Sequence, residues 1–242
     1  MSISLSDSRS AEFIPRENRW LRNEFRAPIN AMHKGIHNRG YLPHWDFADS
    51  VQAITFRLDD SLPVEVVRRW KRELNEMLAS PDQEESRRAQ AELRRRIADY
   101  EDAGHGECLL AIPDHAAIVQ AQLKKHHGSK YKLIEWCIMP NHVHVLMKLL
   151  DDTPLHEIVK RWKAVSAVQI NRLTGRCGSL WMVDYHDRYI RDMDHFLNAR
   201  AYIRMNPVKA GLCKEPEDWP WSSVGIHWIA ECIPPETGGL AE

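Results

Sequence analysis

Apolar and polar positions alternate along Val51–Leu58, VQAITFRL, which predicts a strand rich in branched and aromatic residues. Asp59–Asp60–Ser61 turns the chain. From Val64 to Leu78 the pattern changes: Val66, Val67, Trp70, Leu74, Met77 and Leu78 recur at helical spacing. Ser80–Pro81–Asp82 breaks that helix, and Glu84–Asp102 predicts a second, highly charged one. Gly104–His105–Gly106 ends the pair. Asp114 is placed to cap a helix over Ala116–His127. Lys132–Met139 and a run beginning at His142 predict a hairpin that turns at Pro140–Asn141. Leu155–Leu173 predicts a helix with Ile158, Val159, Trp162, Val165, Val168 and Ile170 on its apolar side and Gly175 as its stop. Leu180–Val183 and Tyr189–Ile190 are short apolar pieces. Asp192 or Asp194 opens a last helix through Phe196 and Tyr202 to Met205, with Asn206–Pro207 at its end. Trp219–Ser223 is an aromatic turn that packs back on the core.

This order predicts an α+β fold: an antiparallel sheet carrying helices on one face. One domain is expected over residues 40–225, with a helical hairpin inserted at about 62–106. Residues 1–39 read as an extension and 226–242 as a tail. Composition changes little here: 43% hydrophobic and 28% charged residues are ordinary for a globular chain of 242. The cysteines Cys108, Cys137, Cys177, Cys213 and Cys232 are scattered and form no CxxC, so neither a zinc knuckle nor a disulfide framework is expected. No secretory signal and no apolar run long enough for a membrane span is read, which points to the cytoplasm.

Net charge is −1, but it is unevenly spread. Between Leu155 and Lys214 there are eleven Lys and Arg against five Asp and Glu. His115–Ile134 carries Lys124, Lys125, Lys130 and Lys132 and no acid. A locally basic surface suits a polyanionic partner. Arg94–Arg95–Arg96 in the inserted helices reads instead as a solvated face.

The candidate chemistry begins at His142–Val143–His144. Strand side chains alternate, so both imidazoles share a face while Val143 and Val145 point into a core. Paired imidazoles are ready metal ligands, although one His-x-His among 13 histidines is weak alone. Some 60 residues on, RAYIRMNPVKAGL places Tyr202 and Asn206 four apart, on one helix face. An asparagine offers a carbonyl oxygen to a hard cation, and a phenol near a cation is a credible nucleophile. A core tyrosine followed by a helix-ending Asn–Pro would leave the same pattern.

Four segments together resemble the REP-associated tyrosine transposases, a branch of the single-tyrosine HUH transposases of insertion sequences. They are MPNHVHVLMKL, KRWKAVSAVQINRLTG, SLWMVDYHDRYIRD, and YIRMNPVKAGL with DWPWSS behind it. Order and spacing agree over Val51–Ser223 apart from the insertion. The resemblance implies a ferredoxin-like sandwich. It implies His142 and His144 as the HUH pair, Tyr202 as nucleophile, Asn206 as third ligand, and Mg²⁺ or Mn²⁺ as the ion. It implies cleavage of single-stranded DNA beside a hairpin, through a 5′-phosphotyrosine and a free 3′-OH. The insertion and the N-terminal extension depart from the family pattern and are expected not to touch the ligands.

Arg188, Arg191, Arg204 and Lys209 are placed for flanking phosphates, and Lys160, Arg161 and Lys163, with Lys124 and Lys125, for a hairpin stem. Two other classes stay open. One is a non-catalytic hairpin DNA- or RNA-binding protein using its basic helices with Trp162 and Trp181. The other is a metal hydrolase using water, which lacks an obvious carboxylate base near the histidines. Both a monomer and a homodimer fit the sequence.

Overall fold

A computed structural model of the chain describes residues 49–225 apart from 152, together with the backbone of a short strand pair before them. That pair is β1, Ile36–Asn38, antiparallel to β2, Pro43–Trp45. The rest of the expected extension over 1–39, and the tail 226–242, lie outside the described residues.

The central unit is strand, helix, strand, strand, helix, strand. It runs β3 (Val51–Arg57), α4 (Pro113–Lys124), β4 (Tyr131–Ile138), β5 (His142–Leu149), α5 (Leu155–Thr174) and β6 (His186–Tyr189). The sheet order is β4-β5-β3-β6, antiparallel throughout. Between β3 and α4 come α1 (Val64–Glu73), α2 (Asn75–Leu78) and α3 (Gln83–Asp102), the last capped by Asp82. After β6 comes α6, Met193–Lys209, capped by Asp192, whose carboxylate accepts from the His195 N–H.

One face of the sheet carries Ile54, Phe56, Val143, Val145, Met147, Trp136 and Ile138 into the main core against Val119, Leu123, Ile158, Val159 and Trp162 of α4 and α5. Buried polar groups there are paired: Trp162 Nε1 donates to Tyr131 Oη, which donates to the Leu123 carbonyl. The opposite face is also covered, by α6. Helices on one face alone would have left half of β5 wet, yet β5 is buried along nearly its whole length. The expected one-faced packing is therefore corrected to helices on both faces.

A bulge in β4 decides what reaches each face. Leu133 stands opposite Met147, but Glu135 stands opposite Leu146, so Ile134 is the extra residue. Without it Glu135 would share the core face with Leu133. With it, Glu135 turns towards α6 while Trp136 and Ile138 enter the core.

Three local expectations change. Pro113 occupies the first turn of α4 and Ile112 its N-cap position, so Asp114 sits inside the helix and does not cap it. On α5, Val168 is 70% exposed while Ser166 is buried, its hydroxyl donating to the Trp162 carbonyl and accepting from Trp181 Nε1. The last helix does not end at Asn206–Pro207. It continues to Lys209, because a proline this near the terminus forfeits only one intrahelical bond. Gly175, at φ +67°, closes α5 as expected. Among the described residues no helix is long and apolar enough to cross a membrane.

The α5 face is testable. Ile170→Ala should lower stability by roughly 2–5 kcal/mol, while Val168→Lys stays within about 0.5 kcal/mol. Urea unfolding that ranks the two the other way would mean α5 is rotated.

Candidate active site

His142 and His144 lie on β5 opposite Arg57 and Thr55 of β3, on the face that α6 covers. Both are buried, and burial holds both imidazoles neutral: His142 well below the usual histidine range, with help from His144 and Arg57, and His144 down to about 3, with help from His186. The tautomers follow from their neighbours. Asn141 Nδ2 donates to the carbonyls of Glu101 at 3.1 Å and His105 at 3.0 Å, which fixes the amide. Its Oδ1 then faces His142 Nδ1 at 2.7 Å, so Nδ1 carries the proton and Nε2 the lone pair. Thr55 Oγ1 holds His144 Nδ1 at 2.8 Å. The Asn206 amide reaches His144 Nε2 at 3.1 Å.

The two Nε2 atoms face each other at 2.9 Å. The His144 Nε2 also meets Asn206 Nδ2, and two ring lone pairs at that distance repel unless a proton or a cation lies between them. Ligand atoms roughly 2.1 Å from one octahedral cation and at right angles stand about 3 Å apart, which matches. Asp102, in the last turn of α3, brings Oδ1 to 3.8 Å from His142 Nε2. One ligand atom from each of Asp102, His142 and His144 lies within 4.8 Å of the others. Among the described residues, Asp102 Oδ1 and Asn206 Oδ1 are buried without a hydrogen-bond partner. A cluster of lone-pair donors with orphaned oxygens fits a hard divalent cation.

Tyr202 stands one turn before Asn206 on α6. Its ring meets His144 edge-on with centroids 5.3 Å apart, and Lys209 Nζ lies 5.0 Å over it. That contact needs α6 to continue past Pro207. Burial, then the carboxylates of Asp102 and Glu101, push the phenol well above its usual range. Burial also raises Asp102 to about 6, against the pull of Lys209 and the Asn206 amide.

The structure thus brings His142, His144, Tyr202 and Asn206 together. Their placement also corrects one expectation, since the insertion does touch the site. Asp102 belongs to α3, and Glu101 beside it pairs with Arg57 next to the histidines. A signal was present. Glu101–Asp102 puts two acids at a helix C-terminus with no basic residue in that turn, against the helix dipole.

The basic candidates divide. Arg188, on β6 opposite Ala53, lies on the site side, with Arg191 within electrostatic reach of it. Burial, then Arg94 of α3 and Arg191, lower the Arg188 guanidinium, so three arginines gather there. Arg95 and Arg96 instead pair with Glu92, Asp99 and Glu73, as a solvated face does. Lys209 lies over Tyr202 as described. Arg204 is 3.0 Å from Glu135, which also takes Arg200 at 2.8 Å and the Ser223 hydroxyl at 2.8 Å. Lys160 and Arg161 are exposed on α5, across the sheet from the imidazoles. Lys163 is turned inward, donates to the carbonyls of Met182 and Val183, and is lowered to about 8 by burial.

A family model described as IS200-like transposase matches residues 113–206. A Haemophilus influenzae relative in the REP-associated tyrosine transposase group is 30% identical over 119 residues, covering 45% of this chain and 68% of the relative. The REP-associated tyrosine transposase of Escherichia coli K12 is 26% identical over 116 residues, covering 47% and 67%. Among solved structures, a REP-associated tyrosine transposase bound to a REP hairpin aligns with a TM-score of 0.43 at 19% identity, over 83% of this chain and 88% of that one.

The Glu135 cluster fastens the tyrosine helix to β4. Glu135→Gln should cost about 1–3 kcal/mol in urea unfolding, because it strands two guanidinium groups. Arg204→Ala should cost less, since that side chain is 40% exposed. Equal and negligible losses would show that α6 is held elsewhere.

Proposed function

This chain belongs to the IS200-like transposases and groups with their REP-associated tyrosine branch, and on that premise we propose that it is a metal-dependent single-stranded DNA endonuclease and strand transferase acting at hairpin DNA. The observation that carries the reading is the convergence of His142, His144, Asn206 and Tyr202 from a strand and a helix about 60 residues apart. Binding alone requires no such meeting. We read the strand-helix-strand-strand-helix-strand connectivity as the ferredoxin-like sandwich of that family.

In this reading the Tyr202 Oη attacks the scissile phosphorus in line with the departing 3′ oxygen. The P–O3′ bond breaks, the phenol loses its proton, and a 5′-phosphotyrosine and a 3′-OH result. The ester keeps the energy of the broken diester, so the 3′-OH can return and rejoin the strand. The two imidazoles and the Asn206 oxygen would hold Mg²⁺ or Mn²⁺, which when bound would supply charge neutralisation at the scissile phosphate. The chain does the rest. Asn141 and Thr55 fix the imidazoles. Glu135 sets the height of α6 over the sheet through Arg200 and Arg204, so Arg204 serves as a brace. Lys209 lies over the Tyr202 ring and pulls the Asp102 carboxyl towards its charged form.

Arg188 and Arg191, joined by Arg94, offer phosphate contacts on the side of the site. Lys160 and Arg161 are left for a stem that reaches round to α5. All four reacting or ligating groups come from one chain, so a monomer suffices for the cut. A cytoplasmic protein with single-stranded hairpin DNA as its partner is consistent with each of these features.

The test uses a labelled DNA hairpin with a short unpaired flank. The chain should form a covalent adduct that disappears in chelator and returns with Mg²⁺ or Mn²⁺. Tyr202→Phe removes one oxygen and keeps the ring, so hairpin binding should persist while the adduct is lost. An adduct surviving in that variant would move the nucleophile to another tyrosine. Binding without any adduct in the parent chain would leave only a hairpin-binding protein.

A further inference from the structure

We infer that the inserted helices complete the metal centre: Asp102, at the end of α3, is a fourth ligand beside His142, His144 and Asn206. This rests on the metal centre proposed above and adds to it a carboxylate from a segment outside the shared family pattern.

Three independent observations carry it. The first is convergence. Asp102 Oδ1 lies 3.8 Å from His142 Nε2, within the space the two imidazole nitrogens define. The second is dissatisfaction. Among the described residues Asp102 Oδ1 and Asn206 Oδ1 are both buried and lack hydrogen-bond partners, and Asn206 is fully buried. A carboxylate oxygen taken out of water needs a positive partner. Lys209 is within electrostatic reach of Asp102 and the Asn206 amide hydrogen-bonds its carboxyl group, yet the buried Oδ1 itself has no hydrogen-bond partner among the described residues. The third is anchoring. The end of α3 is not draped over the site by chance. Glu101 pairs with Arg57, the residue opposite His142. Asn141 Nδ2 takes the carbonyls of Glu101 and His105, on either side of Asp102 in sequence. The Tyr100 ring stacks on His105 with centroids 3.8 Å apart, and the Glu107 N–H donates to Asp60 Oδ2 at 2.7 Å.

The same asparagine therefore sets the His142 tautomer and fixes the helix that brings Asp102. The chemistry of the set changes with it. Two imidazoles and an amide leave a divalent ion its full charge, and one carboxylate removes half. An added hard oxygen also tilts the site towards Mg²⁺ and Mn²⁺ and away from softer ions.

The experiment is Mn²⁺ binding to the full chain, read as loss of the free-ion EPR signal, with Asp102→Asn, Asp102→Ala and His144→Ala beside the parent. Both Asp102 variants should bind at least tenfold more weakly, and His144→Ala more weakly still. The shift in unfolding temperature produced by saturating Mn²⁺ in the parent should shrink in parallel. Without metal, Asp102→Asn should unfold at or above the parent temperature, because a buried charge is relieved. Parent-like Mn²⁺ affinity in both Asp102 variants, with loss in His144→Ala, overturns the fourth ligand and leaves the proposed function intact. Parent-like affinity in His144→Ala as well overturns the metal centre and both readings with it. A metal-free Asp102→Asn that unfolds earlier than the parent would show the carboxylate already satisfied by the chain, and that too overturns the inference.

Discussion

Burial of β5 on both faces is the constraint from which the site follows. A strand with β4 on one side and β3 on the other, helices α4 and α5 beneath and α6 above, has no wet surface for a polar side chain. Two histidines there must stay neutral, and every ring nitrogen must be answered by the protein or by a ligand. The protein answers the Nδ1 atoms, through Asn141 and Thr55. Asn206 Nδ2 reaches the His144 Nε2, and the two Nε2 atoms are left facing each other. A chain selected only for stability would fill these positions with valine, as it does at Val143 and Val145. The cost of the two imidazoles is therefore itself an argument that something binds them.

The tyrosine has to be held to the same frame, and the β4 bulge does this. One extra residue, Ile134, rotates Glu135 out of the apolar core and under α6. There Glu135 gathers Arg200 and Arg204, which bracket Tyr202 on the helix, and the Ser223 hydroxyl from the C-terminal turn. That turn is tied to β4 in its own right: the Ile138 N–H donates to the Trp221 carbonyl and Trp219 Nε1 to the Ile138 carbonyl. The helix carrying Tyr202 and the DWPWSS turn are thus registered against one strand, and that strand is hydrogen-bonded to the one carrying the histidines.

Much of this was legible from residue order. Period-two alternation gave β3 and the hairpin, 3.6-residue periodicity gave α5 and α6, and the i,i+2 and i,i+4 rules put His142 with His144 and Tyr202 with Asn206. What was hidden has definite causes. The bulge leaves no mark in composition, so Glu135 looked like an ordinary strand residue. Arg204 and Lys163 looked like phosphate contacts because sequence shows a charge but not the carboxylate or carbonyl it meets. Lys160 and Arg161 sit across the sheet because a helix following β5 can pack on either face, and nothing local decides which. Val168 failed as a core position because an aliphatic residue at the edge of a helical stripe is as easily outside.

The hardest thing to see was the part played by the insertion. Read along the chain, α3 is a string of i,i+4 ion pairs, Glu84 with Arg88 and Arg95 with Asp99, and such helices are ordinarily solvated. Its last turn obeys a different rule. Glu101 and Asp102 stand where the helix dipole is least favourable to acids, and burial there raises both carboxyl groups above their usual range. Local preference and tertiary position conflict there, and such conflicts concentrate where function sets the residue. Arg94, on the same helix, lies within electrostatic reach of Arg188. A segment that looks like an ornament on the shared fold therefore reaches both the paired imidazoles, through Asp102, and the arginines beside them, through Arg94.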